Sequence, residues 1–158
     1  MKVKQVVATI FGTAGVECPV GDAALTALRL FAGLSLALAH GLGKMPPSEK
    51  FVAGVAELGF PAPTLFAWSA ALAELAGGAL VAVGLATRPA AAMAAFTMLV
   101  AAFGRHAADP FAKKELALLY LAIMVAFVLM GGGRFSLDAF VRRALPGEYG
   151  APEPSKAA

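Results

Sequence analysis

Glu74 sits in ALAELAGGALVAVG, residues 71–84, a run with no other charge. A carboxylate in such surroundings takes up a proton, finds a cation or faces trapped water. The stretch ALAHGLGKMPPSEKF, residues 37–51, brings His40 and Lys44 to the end of another apolar run, just before Pro46-Pro47. Arg105-His106 closes a third run, and Glu115 opens a fourth. An imidazole and a carboxyl group in low-dielectric surroundings can hydrogen-bond a carbonyl oxygen or exchange protons with it. His40, His106, Glu74 and Glu115 gathered at one end of a bundle could also hold a metal ion, although no HxxxH or HExxH spacing is present. No glycine-rich phosphate loop, G-x-S-x-G or cysteine pair occurs, and the single Cys18 excludes an internal disulfide.

These residues are carried by segments of membrane character. Of 158 residues, 59% are hydrophobic and 15% charged, with a mean hydropathy of +0.77. A soluble domain is about 45–50% apolar and about 25% charged. Four runs are nearly free of charge: Ala23–Met45, Leu58–Thr87, Pro89–Gly104 and Leu116–Gly133. Each approaches the ~20 residues that a bilayer core requires. A soluble bundle would show a broad polar face on every helix, and these runs do not.

The fold expected is all-α: an integral membrane bundle of four transmembrane helices, running up-down-up-down because the connections are short. The first helix is expected to begin after Asp22 as N-cap and to stop before Pro46. The second runs from about Thr64 to Ala86, the third from about Ala90 to His106, and the fourth to about Met130. SEKFVAGVAEL, residues 48–58, is too short to span and has helical apolar spacing, so it reads as an interfacial helix. GGGRFSLD, residues 131–138, breaks the fourth helix, and Ser136 is placed to cap a short amphipathic tail helix. The chain thus divides into an N-terminal segment, 1–22, read as uncleaved and interfacial, the membrane bundle, 23–145, and a tail, 146–158, of disordered composition.

At ~100° per residue, Arg29 and His40 fall ~20° apart around the first helix, with Lys44 ~40° beyond. That polar face should turn inward. By depth Glu74 falls between Arg29 and His40 on its antiparallel neighbour, which makes those two its expected partners. A purely structural Arg29–Glu74 pair is one reading of this face, and for Lys44 snorkelling to the interface is another. Gly77, Gly78 and Gly84 permit close helix packing. The net charge of +3 is spread over the connections without the clustered basic stripe of a nucleic-acid binder. Slightly more basic residues fall on the side of the Thr87-Arg88-Pro89 turn and both termini, which places that side in the cytoplasm of a bacterial inner membrane.

In order along the chain stand H-G-x-x-K (40–44), the G-F-P turn (59–61), E-L-x-G-G (74–78), G-L-x-T-R (84–88) and G-R-x-S-L-D (133–138). With these motifs the chain resembles the DoxX family of bacterial four-helix membrane proteins through about residues 25–143. The resemblance implies quinone-coupled oxidation of sulfur compounds, or membrane oxidoreductase assemblies that handle oxidative stress. It assigns His40 and Lys44 to the H-G-x-x-K pair, Glu74 to the acid of the second helix, and Arg88 and Arg134 to the turn arginines. The Arg105-His106 corner and the N-terminal stretch depart from the family's pattern.

Two functions remain open on the sequence. In the first, the protein is a redox component. A quinone sits near the outer mouth, His40 and Glu74 exchange protons with it, and Lys44 and His106 help bind it. Arg29 holds Glu74, and Lys44 with Arg105 attracts an anionic substrate. No cofactor or electron carrier is encoded in the chain, so a membrane or soluble redox partner is required. In the second, the bundle is a non-enzymatic scaffold or assembly subunit, self-associated or bound to a partner, and the tail from Arg134 to Arg143 docks protein or anionic lipid.

Overall fold

The computed structural model describes residues 18–144 together with Gly12; the expected tail 146–158 and most of segment 1–22 lie outside them. Every regular element among the described residues is helical. Helix α1 (Pro19–Ser35) continues without a break into a π-helical segment, Leu36–Gly41, and a 3₁₀ turn, Leu42–Lys44. There follow α2 (Glu49–Glu57), α3 (Pro63–Val83), α4 (Thr87–Val100, extended by a π segment, Ala101–Arg105), α5 (Phe111–Met130) and α6 (Leu137–Ala144).

Helix ends follow local chemistry. Proline suits the first turn because its fixed φ is already helical and its missing N–H is not needed there. Accordingly α1 starts at Pro19 and α3 at Pro63. Asp22 is therefore not the cap expected from sequence: it stands in the first turn of α1, buried. Helix α3 stops at Val83, three residues early, because Gly84 turns left-handed (φ 73°) and its N–H closes on the Leu80 and Val81 carbonyls. Helix α4 then begins at Thr87, with Pro89 tolerated in its first turn. Ser48 accepts a hydrogen bond from Phe51 N and caps α2. Ser136 accepts one from Ala139 N and caps α6, as expected.

Among the described residues, three helices are long and apolar enough to cross a membrane: Pro19–Lys44, Pro63–Val83 and Thr87–Arg105. The fourth expected span, α5, has 20 residues but carries Lys113, Lys114 and Glu115 in its opening turns. Its charge-free part runs only from Leu116 to Met130, shorter than the ~20 residues of a full crossing.

Helices α1 and α3 touch through small residues. A methyl group added at Gly33 would lie 2.6 Å from Gly78 O, and one at Gly78 would lie 2.9 Å from Ala37 N. A methyl at Gly41 would run into Leu75 N. Helix α4 offers Ala90, Ala91, Ala94 and Ala95 to a core completed by Leu36, Val81, Met98, Tyr120, Met124 and Phe127. Large apolar side chains face outward on all four long helices, among them Phe31, Leu72, Phe96 and Leu129. Small residues at the helix seams with large apolar side chains turned outward are the packing of helices in lipid, where close backbone approach replaces the hydrophobic effect.

Candidate functional site

A cavity of about 770 Å³ lies where α2 crosses α3 and α4. Its walls are mainly apolar: Phe51 and Val55 of α2 with Leu58 just after it, Phe66 and Ala73 of α3, Phe96 and Val100 of α4. Its polar groups are few, namely Lys44, Ser48, Lys50, Ser69, Glu74, Thr97, Arg105 and His106. A concave apolar space with a handful of polar side chains is the usual form of a small-molecule site, typically ~300–1,000 Å³.

The polar wall of this space is an ion pair. Lys44 Nζ donates to both Glu74 carboxylate oxygens at 2.6 Å. The Glu74 side chain is 2% exposed and that of Lys44 35%. Glu74 is fixed from behind by α1, whose Gly41 packs directly on the backbone of Glu74 and Leu75. Lys44 reaches it because the chain tightens into the 3₁₀ turn just before Pro46, and the ammonium also lies 5.8 Å from the centre of the Phe51 ring.

At the end of α4 the polypeptide supplies two more groups. His106 lines the cavity and pairs through Nδ1 with Asp109 Oδ2 at 2.8 Å, the carboxylate accepting. That hydrogen bond, with a smaller contribution from Lys113, holds the Asp109 carboxyl below the usual carboxylate range. Arg105 is exposed and lies 3.9 Å from Glu57, linking the end of α4 loosely to α2.

The other residues singled out from sequence are placed differently. His40 does not line the cavity. Its ring stands edge-on to Tyr120 of α5, with centroids 5.5 Å apart. The reason is the π segment, which winds more loosely than an α-helix and so turns His40 away from the face computed at ~100° per residue. Arg29 does not touch Glu74 either. Its guanidinium donates to Val81 O (3.1 Å), Ala82 O (2.7 Å) and Phe135 O (3.1 Å), at the opposite end of the bundle. Carbonyls at the C-terminal end of α3, where the helix dipole is negative, and that of Phe135 take up the two terminal guanidinium nitrogens without a carboxylate partner in contact, while Nε is buried without a partner. Arg88 donates to Leu129 O at 3.0 Å, joining α4 to the end of α5. Arg134 and Glu115 are exposed. Among the described residues no group of three or more His, Cys, Asp or Glu side chains stands close enough to hold a metal.

Sequence reasoning missed one buried centre. Asp138, 1% exposed, accepts hydrogen bonds from Ala86 N (2.6 Å), Thr87 N (2.9 Å) and Thr87 Oγ1 (2.6 Å). It therefore caps the N-terminus of α4 from another helix, where the dipole favours an anion. The signal was present in S-L-D and G-L-x-T-R, which meet here. H-G-x-x-K meets E-L-x-G-G at the other end through Gly41 and Lys44. Each pair of motifs is one contact.

The DoxX family model matches residues 24–107, from the first turns of α1 to just past the end of α4. The matched region holds Lys44, Glu74, Arg105 and His106 and ends before α5 and Asp138. No curated protein and no solved structure matches the chain significantly.

Proposed function

The chain belongs to the DoxX family of membrane proteins, and from that premise we propose that it is a component of a quinone-linked redox system of a bacterial inner membrane. In this reading α5 is the fourth span, its Lys113 and Lys114 reaching to the headgroups, and both termini are cytoplasmic. The observation that supports it most is the cavity between α2, α3 and α4, an apolar space closed on one side by the Lys44–Glu74 pair. It reaches exposed Met93 and Phe96 on the apolar surface of α4, a way in from the lipid for an isoprenoid tail.

A quinone would supply reversible uptake of two electrons and two protons; the electrons have to pass to or from a partner protein. Lys44, the more exposed member of the pair, is placed to donate a hydrogen bond to a ring carbonyl. Glu74 is placed to return a proton to Lys44 or take one from it across 2.6 Å. His106, held through Nδ1 by Asp109, lines the same space and is placed as a second hydrogen-bonding group. His40, facing Tyr120, has no direct part in this arrangement.

The scaffold reading draws on one observation: Lys44 and Glu74 already satisfy each other, as a purely structural pair would. The two separate in one experiment. Protein purified in mild detergent is extracted with solvent and analysed for quinones, alongside an Ala70→Phe variant that fills the cavity from α3 and leaves Lys44 and Glu74 in the sequence. Near-stoichiometric quinone in the parent and its loss in the variant, at equal protein yield, support the redox reading. A parent that stays empty after quinone is added leaves the scaffold.

A further inference from the structure

The end of the molecule opposite the cavity carries a surface with no role in the reading above. Helix α6 is fixed there by its first turn. Asp138 N donates to Gly84 O at 2.8 Å, and the Asp138 carboxylate caps α4. Gly84 terminates α3, a helix of membrane-spanning length. The first turn of α6 is thereby held at the level where a spanning helix ends, which is the depth of the lipid headgroups.

The docked face of α6 is Ser136, Asp138 and Ala139, all buried. The opposite face leaves Phe135, Leu137 and Phe140 exposed at 57%, 44% and 67%. Around them stand Arg134 and Arg143, both exposed, with Arg142 in the last turn. The acids at this end among the described residues are Asp22 and Asp138, and both are buried. Among the described residues no exposed acid stands at this end beside Arg134 and Arg143. An amphipathic helix with aromatic and leucine side chains on one side and the exposed Arg134 and Arg143 beside them matches an interface rich in anionic lipid.

We infer that α6 with the preceding Arg134-Phe135 turn is a binding surface for anionic phospholipid headgroups of the membrane in which the protein sits. The apolar side chains enter the acyl boundary, and Arg134 and Arg143 pair with phosphates above it. Each such arginine is worth roughly a fivefold preference for anionic over zwitterionic lipid at low salt.

The test moves the single tryptophan to the surface: Trp68→Phe with Phe140→Trp, in full-length protein reconstituted into phosphatidylcholine vesicles. Brominated lipid is then added with either a phosphatidylglycerol or a phosphatidylcholine headgroup, and quenching of the introduced indole is recorded. The expected result is quenching by both, with the anionic lipid effective at a several-fold lower mole fraction. Arg134→Gln with Arg143→Gln, which leaves the Asp138 contacts in place, should remove that difference and keep the quenching. High salt should shrink it likewise. Equal quenching by the two headgroups in the parent overturns the proposal. So does an indole that neither lipid quenches, since that surface then faces water and a soluble partner.

Discussion

Lys44 and Glu74 share one contact of 2.6 Å but not one environment: the carboxylate is 2% exposed, the ammonium 35%. The consequences of removing each are therefore unequal. Without Lys44, the Glu74 carboxyl is left in the interior of the bundle without the group it pairs with; without Glu74, Lys44 can turn toward the surface.

Lys44→Met should accordingly destabilise the protein by roughly 3–5 kcal/mol, the cost of orphaning a buried partner. Glu74→Gln, which keeps the shape and removes the charge, should cost less. Lys44→Met combined with Glu74→Gln should recover much of the single-variant loss. Thermal unfolding in detergent, followed by the fluorescence of Trp68, gives all three values. A double variant as unstable as the sum of the singles would mean that the pair is not coupled.

Glycine substitutions separate packing from exposure along α1. A methyl at Gly41 meets the backbone of Leu75, which cannot yield as a side chain can, so Gly41→Ala should cost about 1–3 kcal/mol through overpacking. Gly43 has nothing within 4 Å of the same added atom. Gly43→Ala should be neutral or stabilising by up to ~1 kcal/mol, because it restricts the unfolded chain. Equal effects at the two positions would contradict the close contact of α1 with α3.

Much of this architecture was legible because composition dictates it. Apolar runs, the expected start at Thr64 beside Pro63 and the 131–133 glycines mark out the helices, and Gly78 is a close-packing position in sequence and structure alike. The start of α1 at Pro19 rather than after Asp22, and the part of Ala37 and Gly41 in the seam, come from the structure alone. Which residues meet across the seam was less legible. A constant 100° per residue put Arg29, His40 and Lys44 on one face, but the chain between Leu36 and Gly41 is π-helical. Apolar periodicity does not encode that change of winding. It turns His40 to Tyr120 and leaves Lys44 to meet Glu74. Arg29 was misassigned for another reason. A search for carboxylate partners overlooks backbone carbonyls at a helix end, and those are what Arg29 binds. Asp138 escaped notice because its partners, Ala86 and Thr87, are far away in sequence and bonded mainly through backbone N–H groups.

The Asp138 cap yields a third prediction. Asp138→Ala removes the acceptor for two backbone N–H groups and one hydroxyl, so the first turn of α4 and the docking of α6 should weaken together. The expected cost is about 1–2 kcal/mol, as for loss of a strong N-cap. Limited proteolysis should show faster cutting between residues 131 and 144 than in the parent. Asp138→Asn retains one acceptor oxygen and should fall between the two. Unchanged cutting in Asp138→Ala would show that the main-chain bond from residue 138 to Gly84 O and the Arg29–Phe135 contact hold this segment without the carboxylate.

Acid should act on the loop that orients His106. The Asp109 carboxyl titrates below the ordinary carboxylate range, chiefly because His106 donates to it. A group with a depressed folded value binds its proton less readily in the folded than in the unfolded protein. Its contribution is thus fully present above the unfolded value, near ~3.9, and is lost as pH falls through the lower folded value. Carbon-detected NMR of labelled aspartate should give a midpoint for Asp109 under the ordinary one. His106→Ala should move it back up, with Lys113→Met giving a smaller movement in the same direction. A midpoint that does not respond to His106→Ala would mean that the His106–Asp109 hydrogen bond is not made, and the imidazole would then lack the anchor that aims it at the cavity.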